Sequence, residues 1–145
     1  MKIISKGFTL IELLVVISII ALLSSVVISS LGVARTKSAD AAVKAAMKQL
    51  HTQAQNYLDT NGAAVFGTAS NCTTGLFADA RLNLILTNIR QNAATIPNQI
   101  CGSLGTNWAS SVTLRSGGTW CTDNSQGWFK AGVAQTSGGN QGTCQ

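Results

Sequence analysis

Residues 8 to 31 form a nearly uninterrupted apolar stretch in which Glu12 is the only charged residue. A helix needs about 20 mostly apolar residues to cross the hydrocarbon core of a bilayer, and it satisfies its own backbone hydrogen bonds there. The stretch is long enough for this, and the first proline of the chain is Pro97. Because proline is what most often breaks a helix, the sequence predicts one long helix that continues beyond the apolar stretch.

Two ordinary kinds of apolar N-terminus are alternatives. A cleaved secretory signal peptide also has a basic start and an apolar core, and residues 32–34 (Gly-Val-Ala) would serve as its cleavage site. The core of a signal peptide, however, usually spans only about 7–15 residues. A plain membrane anchor leaves Glu12 unexplained, because a charge at the bilayer centre costs roughly 2.5–3.5 kcal/mol even on lenient scales. The length of the stretch and the carboxylate within it disfavour both alternatives.

The charge of the chain is low. Only 10% of its residues are charged, which is well below the roughly 25% usual for soluble domains. The formal net charge is +5, and Lys2 and Lys6 precede the apolar stretch. The remaining positive charge is too weak and too dispersed to predict nucleic-acid binding by counterion release.

Residue patterns that carry catalysis or metal binding are missing from the sequence. It contains no acidic pair, no nucleophile with a neighbouring base and no phosphate-binding loop. His51 is the only histidine, and no two cysteines form a C-x-x-C pair, so a zinc site is not predicted. We therefore expect no enzymatic activity, no cofactor and no bound metal.

The four cysteines, Cys72, Cys101, Cys121 and Cys144, all lie in the polar half of the chain. An even number of cysteines in a small, glycine-rich region is typical of a disulfide framework. Disulfides form in oxidising compartments. The sequence thus places the C-terminal half outside the cytoplasm.

Residues 6–13, KGFTLIEL, resemble the processing site of type IV pilins and their pseudopilin relatives. The resemblance covers residues 1 to about 31 closely and the architecture of the rest loosely. It implies that a membrane-embedded prepilin peptidase cuts between Gly7 and Phe8. It also implies that the same enzyme N-methylates the new amine of Phe8.

Glu12 then becomes a device for assembly, as the family pattern also implies. After cleavage the chain would begin with a cationic amine at Phe8, with which a carboxylate on a neighbouring helix can pair. At an effective dielectric constant near 20 and a separation of ~4 Å, this attraction amounts to about 4 kcal/mol before desolvation is counted. We expect Glu12 to set the register of the helices during assembly.

The predicted fold is α+β and pilin-like, with a long N-terminal helix packed on a small, disulfide-stapled antiparallel sheet. Its predicted parts are a cleaved leader (1–7), a membrane-spanning and assembly segment (8–31), an amphipathic stem (32–61) and a globular head (62–145). Apolar spacing predicts a short helix over residues 76–92. Alternation and turn residues predict about three strands, within 108–115, 119–122 and 128–131.

Four cysteines allow three connectivities. We favour Cys72 with Cys101 and Cys121 with Cys144, because the second bond would fix a glycine-rich tail that has too little apolar material to fold by itself. Members of the family often have a disulfide-closed C-terminal loop that faces outward on the filament. Residues 122–143 fit that description.

The function implied is that of a structural subunit of an extracellular, pilus-like filament that serves adhesion, motility, DNA uptake or biofilm formation. The implied partners are identical subunits, a prepilin peptidase, an inner-membrane assembly platform and, before assembly, the cell membrane itself.

One alternative is a pseudopilin of a type II secretion system, and another is a DNA-binding competence pilin. DNA binding would use exposed aromatic residues as a stacking platform beside Arg115 and Lys130, whereas the ordinary interpretation places the same aromatics in the core. These aromatic residues are Trp108, Trp120, Trp128 and Phe129.

Overall fold

The computed structural model describes residues 7–61, 66–69, 71–94, 99–124, 130–131 and 143–144. The chain divides into two compact units, Met1–Arg35 and Thr36–Gln145, which we call the N-terminal unit and the C-terminal unit. The helices are α1 (Leu10–Asn61) and α2 (Ala80–Asn92), with a turn of 3-10 helix at Gly75–Ala78. The strands are β1 (Ile100–Leu104), β2 (Asn107–Thr113), β3 (Thr119–Asp123) and β4 (Lys130–Ala131). The predicted α+β class, with a long N-terminal helix and a small antiparallel sheet, is confirmed.

Within the C-terminal unit, helix α1 buries one stripe of its surface. Spacings of three and four residues place the members of this stripe on one helix face. Lys48 and Thr52, which lie between members of this stripe in the sequence, are exposed, so this part of α1 is amphipathic. The buried residues of the stripe are Val43, Ala46, Met47, Leu50 and Ala54.

The sheet is an antiparallel meander in the order β1-β2-β3-β4. Strand β2 lies inside it, and Ser110 pairs with Cys101 of β1 on one side and with Thr122 of β3 on the other. Strand β1 was not predicted from the sequence, because its residues, ICGSL, contain a central glycine and show no clear alternation. It is defined by its pairing with β2 and not by local propensity.

One face of the sheet packs into a core shared with both helices. Trp108 is fully buried there, and the rings of Phe66 and Phe77 meet it edge-on at centroid distances of 6.3 and 6.4 Å. Helix α2 contributes Leu82, Leu86 and Ile89 to the same core. Trp108 is therefore a core residue and is not available for stacking on nucleic acid bases.

The two disulfides are Cys72–Cys101 and Cys121–Cys144, the pairs favoured from the sequence. The first joins the segment before the 3-10 turn to β1. The second joins β3 to a residue near the C-terminus, and the Cys144 N–H also donates to Asp123 Oδ2 at 2.9 Å. Cys121 and Cys144 form a second, smaller cluster with Ala109 and Ile100.

The region predicted as one helix over residues 76–92 is divided at Asp79. The Asp79 carboxylate accepts the backbone N–H groups of Arg81 and Leu82 at 2.9 and 3.4 Å and so acts as the N-cap of α2. A side-chain acceptor at this position satisfies amides that have no partner within the helix. The segment before Asp79 adopts the 3-10 turn instead.

The turn between β2 and β3 is bound to α1 through Asp40. Only 5% of the Asp40 surface is exposed, and its carboxylate accepts the Arg115 N–H at 2.7 Å and the Ser116 N–H at 3.1 Å. The Arg115 side chain donates in turn to the carbonyls of Ala93 and Gln91 at the end of α2, at 3.2 and 3.1 Å. One turn thus joins both helices and the sheet.

The charge on Asp40 is favoured in the fold. Burial alone would raise the pKa of the Asp40 carboxyl, but hydrogen bonds from Ser116 and Arg115, together with nearby Lys44, hold that pKa below its ordinary value. The Lys44 ammonium also lies 4.4 Å from the ring centroid of Trp120, over its face. Trp120 is partly buried, whereas Trp128 and Phe129 lie outside the described residues.

Candidate processing and assembly site

Gly7, Phe8 and Thr9 precede helix α1 and are not helical. Phe8 is 85% exposed, and a Cβ atom built on Gly7 would meet no atom within 4 Å among the described residues. The described part of the fold therefore places no steric demand for glycine at position 7. Residues 1–6, the remainder of the predicted leader, lie outside the described residues.

Thr9 and Glu12 form a reciprocal pair at the start of helix α1. The N–H and the hydroxyl of Thr9 donate to Glu12 Oε2 at 2.9 and 2.7 Å. In the opposite direction, the Glu12 N–H donates to Thr9 Oγ1 at 3.3 Å. The Thr9 carbonyl accepts the first backbone bond of the helix, from the Leu13 N–H. This arrangement is a capping box, in which the residues before and within the first turn satisfy each other's amides.

The Glu12 carboxylate is stabilised by its position at the helix N-terminus and by the hydrogen bonds from Thr9. It lies in the first turn of α1, where the partial positive charge of the helix N-terminus stabilises an anion. Both bonds from Thr9 go to Oε2, and within the described part of the chain Oε1 accepts none. The carboxylate is therefore half satisfied within its own chain and keeps one oxygen for another donor.

The role of Thr9 was missed in the sequence, although its signal was present. A threonine followed three residues later by glutamate, directly before an apolar run, is the sequence signature of a capping box. Residues 9–12 read TLIE and fit it. In the sequence analysis these residues were assigned only to the processing motif. Because Thr9 is the N-cap, the first helical residue is Leu10.

The apolar residues of the N-terminal unit are exposed on all sides of the helix in this structure. Helix α1 contains an 18-residue window of mean hydropathy 2.8, none of it buried, and is long and apolar enough to cross a membrane by length and composition. Several serine hydroxyls within it bond to carbonyls of the preceding turn. Ser18 donates to Leu14 and Ser30 to Val26, at 2.8 and 2.7 Å. Such bonds lower the cost of placing hydroxyls in an apolar medium.

The side chains of Asp123 and Asn124 form hydrogen bonds at the end of strand β3. Asp123 is 4% exposed and accepts the Cys144 N–H, while the Asn124 amide bonds to the backbone of Trp108 and Thr106. These oxygens are engaged in fixing the end of β3. Among the residues that the structure describes, no group of three or more His, Cys, Asp or Glu side chains could hold a metal ion.

Comparison with known families gives one match. The prokaryotic N-terminal methylation motif matches residues 4–28, a range that contains Gly7, Phe8, Thr9 and Glu12. Neither the curated proteins nor the solved structures contain a match to the chain. The match covers only the N-terminal part of the sequence, so the C-terminal unit is characterised by its fold alone.

The motif is the prepilin-type signature of type IV pilins, and it defines a class of structural subunits with a processed N-terminal helix. Together with the pilin-like α+β architecture, the motif supports a structural subunit of the type IV pilin or pseudopilin type. The motif implies processing by a prepilin peptidase and polymerisation through the helix. An apolar N-terminal helix also fits a precursor that is anchored in the membrane.

Proposed function

We propose that this chain is a structural subunit of an extracellular, pilus-like filament. One observation carries the proposal: the apolar helix of the N-terminal unit has no covering partner in the described structure, and it starts beside an exposed cleavage motif. So large an apolar surface is not stable in water and requires lipid or other apolar helices around it. A filament subunit needs both environments in turn.

The first step of the proposed function is processing in the membrane. A prepilin peptidase hydrolyses the peptide bond between Gly7 and Phe8, so that the leader leaves with Lys2 and Lys6 and the mature chain begins with the amine of Phe8. The ammonium group then loses one proton and takes a methyl group from a sulfonium-type methyl donor, which leaves as a thioether, so the methylated amine remains cationic. The non-helical backbone of Gly7 and Phe8 supports this step, because its peptide groups are outside the helical hydrogen-bond ladder.

The second step is polymerisation. The apolar helix moves from lipid into a bundle of identical helices, and the exchange is driven by packing and by polar contacts because lipid tails are as apolar as leucine side chains. Glu12 supplies such a polar contact by pairing with the Phe8 amine of a neighbouring subunit. A buried carboxylate without a partner is costly, so subunits in the wrong register are disfavoured.

The C-terminal unit would form the outer surface of the filament. Its two disulfides suit an oxidising exterior, and the Cys121–Cys144 bond retains the C-terminal end against β3. Adhesion, motility, DNA uptake and biofilm formation are the roles that such a surface could serve. An assembly platform in the inner membrane would deliver the subunits.

The experiment begins with filaments sheared from cells that express the full-length chain. We expect the mature subunit to start at Phe8 and to be one methyl group heavier than the unmodified peptide by mass spectrometry. A chain that begins at Arg35 would identify an ordinary signal peptide and refute the proposal. Methylated Phe8 without surface filaments would identify a pseudopilin of a secretion system instead.

Two matched variants test the assembly step. Glu12→Ala should permit cleavage but prevent filament formation, because the neighbouring amine loses its partner. Asp59→Ala is the control, since Asp59 is an exposed acid on the same helix and lies in the C-terminal unit. Wild-type numbers of filaments from Glu12→Ala would contradict the role of Glu12.

A further inference from the structure

We propose that Thr9 is the positioning residue for Glu12, and that the two carboxylate oxygens of Glu12 serve different partners. Oε2 is held by Thr9 of the same chain, and Oε1 accepts the Phe8 amine of the next copy in the filament. The inference rests on the proposed function above, because it needs an incoming amine. It adds a residue to which the pairing step assigned no role.

The geometry of the capping box carries the division between the oxygens. Both Thr9 donors reach the same atom, Oε2, at 2.9 and 2.7 Å, and in the described residues Oε1 has no partner. A carboxylate has about four acceptor sites over its two oxygens, so two bonds at Oε2 leave Oε1 able to accept charged donors. A charge-assisted bond from an ammonium group is of the strong kind.

Preorganisation is the physical reason why Thr9 should matter. A glutamate side chain on a helix surface has three rotatable bonds, and their freedom is lost when the carboxylate pairs with a neighbour. Thr9 removes part of that freedom before the neighbour arrives. It also supplies hydrogen bonds to the carboxylate while the helix is in lipid, where an unsolvated charge is least tolerated.

The decisive comparison uses the full-length chain with substitutions at positions 9 and 12. Thr9→Val keeps the branched shape but removes the hydroxyl, and with it one bond to Oε2 and the acceptor for the Glu12 N–H. We expect filament mass per mature subunit to fall by about fivefold, which is what losing one N-cap interaction predicts. Thr9→Ser keeps the hydroxyl and should assemble at close to the wild-type level.

A role through Glu12 is distinguished from an independent role by the double variant. If Thr9 acts only by holding Glu12, then adding Thr9→Val to Glu12→Gln should reduce assembly no further than Glu12→Gln alone. Thr52→Val is the matched control. Thr52 is an exposed threonine of the same helix, and its hydroxyl bonds to the Lys48 carbonyl at 3.2 Å, far along the sequence from the processing motif.

A second measurement on the precursor does not depend on cleavage or assembly. In detergent micelles, amide exchange at Thr9 should be slower in the wild type than in Glu12→Ala by about fivefold, because Glu12 Oε2 accepts that N–H. Equal exchange rates in the two proteins would show that the capping box does not form and would overturn the inference.

The remaining outcomes separate the inference from the proposed function. Normal assembly of Glu12→Gln would refute the pairing step itself. Impaired assembly of Glu12→Gln with wild-type assembly of Thr9→Val would leave the pairing step intact and overturn the role of Thr9. Thr9→Val precursor that stays uncleaved, or an additive loss in the double variant, would assign Thr9 to another function and likewise overturn it.

Discussion

The bond between Asp40 and the β2–β3 turn offers the sharpest test of how the C-terminal unit is stabilised. Asp40→Asn keeps the shape of the side chain but leaves one oxygen where there were two. Its amide group would then face one of the two backbone donors, Arg115 N–H or Ser116 N–H, which the carboxylate accepts at 2.7 and 3.1 Å. One backbone donor in a partly buried contact loses its acceptor.

The magnitude follows from those two bonds. A hydrogen bond to a charged group contributes about 1.5–3 kcal/mol, and one of the two would be lost. Because Arg115 and Ser116 are themselves exposed, water can partly replace the acceptor, so we expect a loss of about 2 kcal/mol. For a unit the size of Thr36–Gln145, that corresponds to a decrease in Tm of roughly 8 °C.

The assay is thermal and urea unfolding of the oxidised fragment Thr36–Gln145, followed by tryptophan fluorescence. Asp59→Asn is the control and should change the free energy of unfolding by less than about 0.5 kcal/mol, as exposed substitutions usually do. If Asp40→Asn were as stable as this control, the turn would not depend on the carboxylate and the reasoning would be wrong.

The same pair of proteins also predicts a pH dependence. The pKa of Asp40 is lower in the folded chain than its ordinary value, so the folded state binds the proton less readily than the unfolded state. The stability from this group is therefore complete above the unfolded pKa of about 3.9 and decreases as the pH falls through the lower folded pKa. The difference in stability between wild type and Asp40→Asn should shrink over that acidic range. A difference that grew with acidification would refute the assignment.

Three further predictions follow from the structure. Leu50→Ala should lower the stability of the C-terminal unit by about 2–5 kcal/mol in urea unfolding, because Leu50 is fully buried, whereas the 74% exposed Leu84 should tolerate the same change. Replacing both Cys121 and Cys144 by alanine should cost roughly 3 kcal/mol of unfolding free energy on the chain-entropy account, and an unchanged urea midpoint would contradict it. Gly7→Arg should leave full-length precursor in the membrane fraction with the C-terminal unit folded, as immunoblotting and proteolysis would show; efficient cleavage of this variant would count against the processing role of Gly7.

The sequence predicted best what local chemistry determines. The apolar run and the stripe of Val43, Met47 and Leu50 on α1 express one-dimensional periodicity, and the structure contains both. The alternation around Trp108 did predict a strand there, but β2 is buried on both of its faces, so its burial does not alternate. Strand β1 was missed because its short, glycine-containing sequence becomes a strand only through its partner. The N-cap role of Asp79 was missed although the residue type favours caps.

Long-range bonds were beyond the reach of sequence patterns. Asp40 and Arg115 are 75 positions apart, and neither lies in a motif that would announce their contact. The contact between Thr9 and Glu12 differs, because its three-residue spacing is a recognisable capping-box signature. That signature lies inside the longer processing motif, to which both residues were assigned.

The position of Asp40 near the start of the C-terminal unit has a mechanical consequence. Tension entering this unit along helix α1 from Thr36 would reach the two hydrogen bonds of Asp40 before it reached the buried stripe that begins at Val43. Because one carboxylate accepts both N–H groups, the two bonds would share that load. Under a small force these two hydrogen bonds would therefore break before the buried contacts of the stripe do.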